Sequence, residues 1–487
     1  MKCKLMTLSV LKNKVVIYLA SRYITYAIQF VTSLVIAANL GPYYMGIWGF
    51  VLLLLNYFQQ FHFGIVNSFN VLYVQHRDEK QECDNYTGNS LLLVSYLSAM
   101  IICLYVAYLI FGFAGFEKYH TDRYMLWICV IAILQHYTNF FINLFRVKNL
   151  LNHVTFCQSI VVILNFVCVF FFKDELLIKA LIAGYVIGNM MAVVLAFISG
   201  VMPNLRVISI NWQYQLDVLK KGFYLFLYNS CFYFIIISIR TIISGFYSVE
   251  EFGMFTFSFS LAHAILLLME ALSFIIFPKV LRKLSSSITD EVKHTIVYLR
   301  EIYITSAHFL IYLALPLFPL LLYFFPKYDG ALTALNLIAL SIIININSCG
   351  YADLLIARNK EKVLMKLSIF ALVLNCLIAF ILVKVFHVGF SYVIIATLIT
   401  YFVYSFSVMY NGEKILNRES WKGFLRDYFP IRLAVPYFSA LILSLIQLRG
   451  VFMIIPFMLF LPLNIKTIGH IKDTAVKLLF KPEVVNL

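Results

Sequence analysis

The chain has 487 residues, 62% of them hydrophobic and only 13% charged, and its formal net charge is +15. A soluble domain keeps about a quarter of its residues charged, so this chain cannot cover itself with a water-facing surface. A soluble enzyme is excluded on that ground, and a nucleic-acid-binding role for the basic excess is excluded by where that excess lies.

Apolar runs of about 20 residues recur from end to end, each long enough to cross roughly 30 Å of hydrocarbon. They are continuous rather than alternating, which fits membrane-spanning helices and not a barrel. Fourteen spans are predicted, at about residues 15–38, 45–75, 90–113, 124–145, 153–172, 180–200, 222–246, 252–278, 297–325, 331–357, 363–386, 389–410, 433–448 and 451–465. Arg432, Pro436, Arg449, Pro456 and Pro462 crowd the last two. With the N-terminus placed in the cytoplasm, alternate loops on that side collect about 30 Lys and Arg, against about seven on the other side. The positive-inside rule therefore accounts for the charge and predicts cytoplasmic N- and C-termini, with anionic inner-leaflet lipids as partners and no nucleic acid. The first apolar run is too long for a signal-peptide h-region and is expected to be retained. The nine cysteines are scattered without CxxC or Cys/His spacing, so neither a disulfide framework nor a metal site is expected.

An internal repeat organises the spans. Residues 39–49 (NLGPYYMGIWG) precede and open the second span, and residues 246–255 (FYSVEEFGMF) do the same for the eighth. Arg146 ahead of a span holding Asn165 is echoed by Arg358 ahead of a span holding Asn375. Gly46 to Gly253, Arg146 to Arg358 and Asn165 to Asn375 are offset by 207, 212 and 210 residues. Each half starts on the same side, which predicts parallel repeats about an axis along the membrane normal. The expected organisation is an N-terminal six-helix lobe (1–203), a cytoplasmic linker (204–221), a second six-helix lobe (222–412) and two further helices with a tail (413–487). Two such lobes around a central cleft make a transporter architecture, with no cofactor.

Polar residues within the spans fall at helical spacing and so share faces. Span one carries Arg22, Thr25 and Gln29; span two carries Asn56, Gln59, Gln60, His62, Asn67 and Asn70; span four carries Gln135, Asn139, Asn143 and Arg146. Span seven carries Asn229, Tyr233, Arg240 and Ser244, and span ten carries Asn345, Ser348 and Asp353. Singly, such amides are ordinary interhelical glue; together they predict a hydrated cavity. Arg240, too deep to be solvated easily and unable to lose its charge, is a candidate cation for an anionic headgroup, with outward snorkelling or pairing to Glu250 or Glu251 as the plainer alternative. Arg22 and Arg146 are candidates for an entrance ring, with positive-inside anchoring as the alternative. Glu270 and Asp353 are candidate proton or sodium sites, although Asp353 is as well placed to pair with Arg358 or to cap its own helix.

Residues 29–49 (QFVTSLVIAANLGPYYMGIWG), 239–255 (IRTIISGFYSVEEFGMF) and 277–282 (FPKVLR) resemble the polysaccharide-biosynthesis flippases, the O-antigen unit translocases. Their superfamily also holds the multidrug-and-toxin extruders and the lipid II flippase. The resemblance covers most of the first 410 residues. Relatives often carry an acidic residue just before the span-seven arginine, where this chain has Ile239. The resemblance implies an all-α, MATE-like transporter rather than an enzyme, in a bacterial inner membrane. It implies a substrate that is an undecaprenyl-diphosphate-linked oligosaccharide, with a polysaccharide polymerase as a candidate partner. An ion-coupled drug exporter of the same superfamily and a membrane polysaccharide polymerase are the alternatives.

Overall fold

The computed structural model describes residues 14–112, 116–203, 208–285, 289–416, 427–448 and 450–480, with the side chains of 14–17, 19, 266–282, 289, 450–451 and 472–480 outside that description. Among the described residues every regular element is helical. Eleven helices among the described residues are long and apolar enough to cross a membrane. One of them holds two predicted spans: Lys14–Gln60 is broken at Gly41, whose φ of 65° and ψ of 174° leave the helical region just ahead of Pro42. The helix Val249–Leu284 and the shorter Ile431–Leu445 supply the remaining spans read from the sequence.

Three predicted spans are interrupted. The second stops at Gln60 and resumes at Ile65, across Phe63 and Gly64, both at positive φ. The tenth ends at Ile346 and resumes at Tyr351 after Gly350, at φ 82°. The ninth is divided at Pro316, between Thr289–Ala314 and Leu317–Tyr323. Glycine populates positive φ without a Cβ penalty and proline cannot continue the backbone ladder, so these positions stop helices that hydropathy alone would run on.

The chain divides into two compact units: Met1–Ser230 with Ser248–Gly253, and Cys231–Tyr247 with Met254–Leu487. The core of the first is aromatic, with Phe69, Phe140, Phe141 and Phe145 fully buried beside Leu144 and Val154. Its last segment is held by two buried asparagines. Asn85 accepts from the Ser209 backbone N–H at 3.0 Å, and Asn89 donates to the Ser209 carbonyl at 2.9 Å. That clamp feeds the amphipathic helix Trp212–Lys221, which Asn211 caps by accepting from Gln213 and whose Val218 enters the core.

The repeat glycines lie face to face within this unit. A Cβ on Gly46 would strike the Val249 carbonyl oxygen, and one on Gly253 would strike that of Pro42. Only glycine at both positions lets the backbones approach so closely. The first turn of Val249–Leu284 is closed reciprocally, Glu251 accepting from the Ser248 backbone N–H at 2.9 Å and Ser248 Oγ accepting from that of Glu251 at 3.1 Å.

In the second unit Asn375 is fully buried. It donates to the Ile235 carbonyl at 2.8 Å and Ser238 Oγ at 2.9 Å, and it accepts from Thr397 at 3.2 Å. Its repeat counterpart Asn165 sits in the first unit against Gly184, where no Cβ would fit. Asn375→Leu removes those three bonds, although Ser238 Oγ still donates to the Ile235 carbonyl, and is expected to cost about 1–2 kcal/mol, read as a lower melting temperature of the detergent-solubilised protein. An unchanged melt would show that the network contributes nothing to stability. The two final helices, Ile431–Leu445 and Ile455–Phe480, pack on each other, and the second packs on Thr289–Ala314. There Arg432 bridges to Glu301 at 3.2 Å and donates to Thr467 at 2.6 Å.

Candidate functional site

The stripe Gln135, Asn139, Asn143 runs down one face of Thr121–Val147 because its members are four residues apart. Opposite it lies the interrupted second span. Gln59 donates to Gln135 at 3.1 Å, and Asn70 donates to Asn143 at 2.7 Å. Between these two pairs opens a cavity of about 170 Å³, walled by His62, Asn67, His136, Asn139 and Asn143, with Val94 and Leu97 on its apolar side. The break at residues 61–64 shapes it. His62 turns its Nδ1 to accept the Gly64 backbone N–H at 3.0 Å, which leaves its ring edge against Phe226. His136 is buried, and among the described residues its Nε2 meets no hydrogen-bond partner. The amides and imidazoles of the lining supply both donors and acceptors, and no Asp, Glu, Lys or Arg is among them, a set suited to hydroxyl-bearing ligands rather than to a bare ion.

Other residues singled out from the sequence are distributed differently. Arg22 lies 4.6 Å over the ring of Tyr26 and donates to its hydroxyl at 2.6 Å, while Thr25 of the same stripe bonds Ser159 at 2.8 Å. Gln29 is exposed, as is Arg146 at the end of Thr121–Val147. None of the three lines the amide cavity. His62 and His136 do line it, although helical spacing does not set a lining histidine apart from a packed one.

In the second unit Arg240 is 2% exposed, among the buried Ile235, Ile237, Ile239 and Ile243. Its guanidinium stacks 5.0 Å from the centroid of Phe259. The apolar Ile239 suits that setting. Of the two acids weighed as its partners, Glu251 closes its own helix start, because Ser-x-x-Glu at a first turn satisfies two orphan N–H groups at once. Asn345 is half-buried at the end of Leu332–Ile346, where its carbonyl accepts from Ser348 Oγ at 3.0 Å. Asp353 accepts from the Gly350 backbone N–H at 3.3 Å and so caps the helix Tyr351–Ala357. Glu270 lies outside the described side chains. Among the described residues no group of three or more His, Cys, Asp or Glu is placed to hold a metal ion.

A second polar cluster was not legible in the sequence. Arg300, 7% exposed, lies over the ring of Tyr351 at 4.9 Å and donates to the carbonyls of Asn347 and Cys349, and the Tyr351 hydroxyl donates to Glu413. An arginine just inside a predicted span looks like ordinary positive-inside anchoring, which hid it. The helix break at residues 347–350, whose freed carbonyls it serves, is the signal that singles it out.

A profile described as "Polysaccharide biosynthesis protein" matches residues 11–282, more than half of the chain. No curated protein matches. Among solved structures, the fold is similar to that of the lipid II flippase MurJ in an inward closed conformation, with a TM-score of 0.67 at 14% identity, covering 95% of this chain and 100% of that one. It is similar to an inward-facing multidrug resistance MATE family transporter of the MOP superfamily, with a TM-score of 0.65 at 14% identity, covering 85% and 99%. A MOP superfamily transporter from Pyrococcus furiosus gives 0.53 at 15% identity, covering 83% and 94%. At these identities the likeness establishes the fold alone.

Proposed function

We propose that this chain, which belongs to the polysaccharide biosynthesis protein family, is a flippase that moves undecaprenyl-diphosphate-linked oligosaccharide units from the cytoplasmic to the periplasmic leaflet of a bacterial inner membrane. The observation that carries this reading is the amide- and imidazole-lined cavity of the first unit. A glycan crossing the bilayer loses water from many hydroxyls at once. Side chains such as Asn139 and Asn143, which donate and accept together, replace that water. The polyprenyl tail needs no such shelter and stays in lipid. The diphosphate needs cations, a role we give to Arg240, with Arg22 and Arg146 at the entrance and Gln29, Gln59 and Asn345 as further polar contacts. Carrying negative charge outward against an inside-negative potential is favourable by roughly 2.3 kcal/mol per charge per 100 mV. The potential therefore drives export on this reading, with Glu270 as the candidate proton or sodium site and Asp353 engaged in its cap.

The test is to locate lipid-linked units in cells lacking the gene. Single units accumulating with their glycans toward the cytoplasm, and loss of surface polysaccharide, are expected. Units that reach the periplasm unpolymerised would overturn the reading in favour of a polymerase. Normal polysaccharide with altered drug susceptibility would favour a drug exporter. Within the cavity, Asn143→Leu keeps the branched side-chain shape while removing the bond to Asn70. Export at equal protein level is expected to fall about tenfold, the scale of losing one or two hydrogen bonds to substrate. Wild-type export by that variant would remove the cavity from the path.

A further inference from the structure

The second unit contains another built cavity, of about 260 Å³, lined by side chains that the transport reading leaves unused. Its walls come from the helix Thr289–Ala314 through Arg300 and Thr305, and from the tenth-span break through Asn347 and Tyr351. The approach to the last helix pair closes it through Tyr428 and Arg432. Asn347 is 1% exposed, and among the described residues neither its amide oxygen nor its amide nitrogen has a hydrogen-bond partner; the Thr305 hydroxyl, fully buried, has none there either. A buried polar atom left unpaired costs about 1–3 kcal/mol, so three around one small space point to a ligand that satisfies them.

The chemistry of those atoms selects the ligand. Asn347 Oδ1 requires a donor, Nδ2 requires an acceptor, and the Thr305 hydroxyl takes either. A phosphate offers chiefly acceptors and an ammonium only donors, whereas neighbouring hydroxyls on a ring offer both. The charges agree, since Arg300 and Arg432 line the space together with Glu301 and Asp427, so no net positive charge is left to hold an anion. The rings of Tyr351 and Tyr428 add flat apolar surface for the C–H face of a sugar. The volume falls below the roughly 300–1,000 Å³ of pockets for drug-sized ligands, which suits one sugar ring and not an oligomer.

We infer that this cavity is a binding subsite for a single saccharide ring. The inference rests on the flippase reading for its source of sugar, and it gives the two helices outside the repeat a task, because Arg432 holds them to Glu301 at the cavity wall. The experiment is saturation-transfer NMR on the full-length protein in nanodiscs, with glucose, galactose, mannose, rhamnose, N-acetylglucosamine and inorganic phosphate as probes. At least one sugar is expected to give a saturable signal that phosphate does not displace. The signal should weaken about tenfold or more in Asn347→Leu and in Thr305→Val, the loss expected when a paired polar group is removed. Melting of the unliganded variants checks that each one folds, and two variants at different helices guard against one failing to do so. Absence of saturable binding by every sugar, binding unchanged in both folded variants, or displacement by phosphate would each overturn the assignment. Cellular export reports separately: no saturable sugar binding by the parent protein, with units trapped at the cytoplasmic leaflet in the gene deletion, sinks this subsite alone, and normal leaflet distribution in the gene deletion sinks the flippase reading alone.

Discussion

Arg240→Ala is expected to reduce export of lipid-linked units by at least about tenfold, which is 1.4 kcal/mol or more of lost stabilisation, with Arg240→Lys keeping part of the activity. The guanidinium is held in an isoleucine-rich stretch of its helix and stacked on Phe259, a costly place for a charge that cannot be shed. If the residue served packing alone, Arg240→Met would preserve function, because the methionine side chain fills much of the same volume against Phe259. If the residue binds the diphosphate, Met is as inactive as Ala, and Lys is intermediate because it supplies charge without the bidentate fork. Protein level and melting temperature, measured alongside, separate the cases. Full activity in both Ala and Lys would sink the headgroup role, and an active Met variant would assign Arg240 to the core.

The membrane-spanning class and the position of the spans were legible because hydrocarbon demands long apolar runs and the chain supplies them. The breaks were not. Hydropathy continues across Gly64, Pro316 and Gly350, and only backbone conformation shows that Gly64 and Gly350 take positive φ. Those breaks matter for function: the first turns His62 into the amide cavity, and the last frees the carbonyls that Arg300 serves. Helical spacing correctly set Gln135, Asn139 and Asn143 on one face. It did not reveal that Asn70 and Gln59 would meet that face, because pairing between helices depends on packing that no single-helix periodicity encodes. Glu251 carries a different lesson. The Ser-x-x-Glu signature of a helix start is legible in residues 248–251, and the structure closes that turn reciprocally.

The repeated glycines yield the prediction with the largest effect on stability. Gly46 and Gly253 entered as an echo at an offset of 207 residues, and within the first unit each faces the other's segment. Four residues separate Pro42 from Gly46 and Val249 from Gly253, so each glycine shares a helix face with the carbonyl that meets its opposite number. A Cβ on Gly253 would lie 2.8 Å from the Gly46 nitrogen as well as on the Pro42 carbonyl oxygen, and one on Gly46 would lie 2.8 Å from Val249 Cγ1 as well as on the Val249 carbonyl oxygen. Most of these obstacles are backbone, which no rotamer change relieves. Overpacking against movable side chains typically costs 1–3 kcal/mol, so Gly46→Ala and Gly253→Ala are each expected to cost about 3 kcal/mol or more. Gly253→Val should leave little folded protein in the membrane. Gly245→Ala is the control, since a Cβ there meets nothing within 4 Å. It should melt at or above the parent temperature, by up to about 1 kcal/mol, because alanine favours a helix over glycine. Thermal unfolding in detergent reads all of these variants. If Gly46→Ala melted with Gly245→Ala, the close approach would be absent, and the repeated glycines would mark common ancestry of the two halves without a packing reason to keep them.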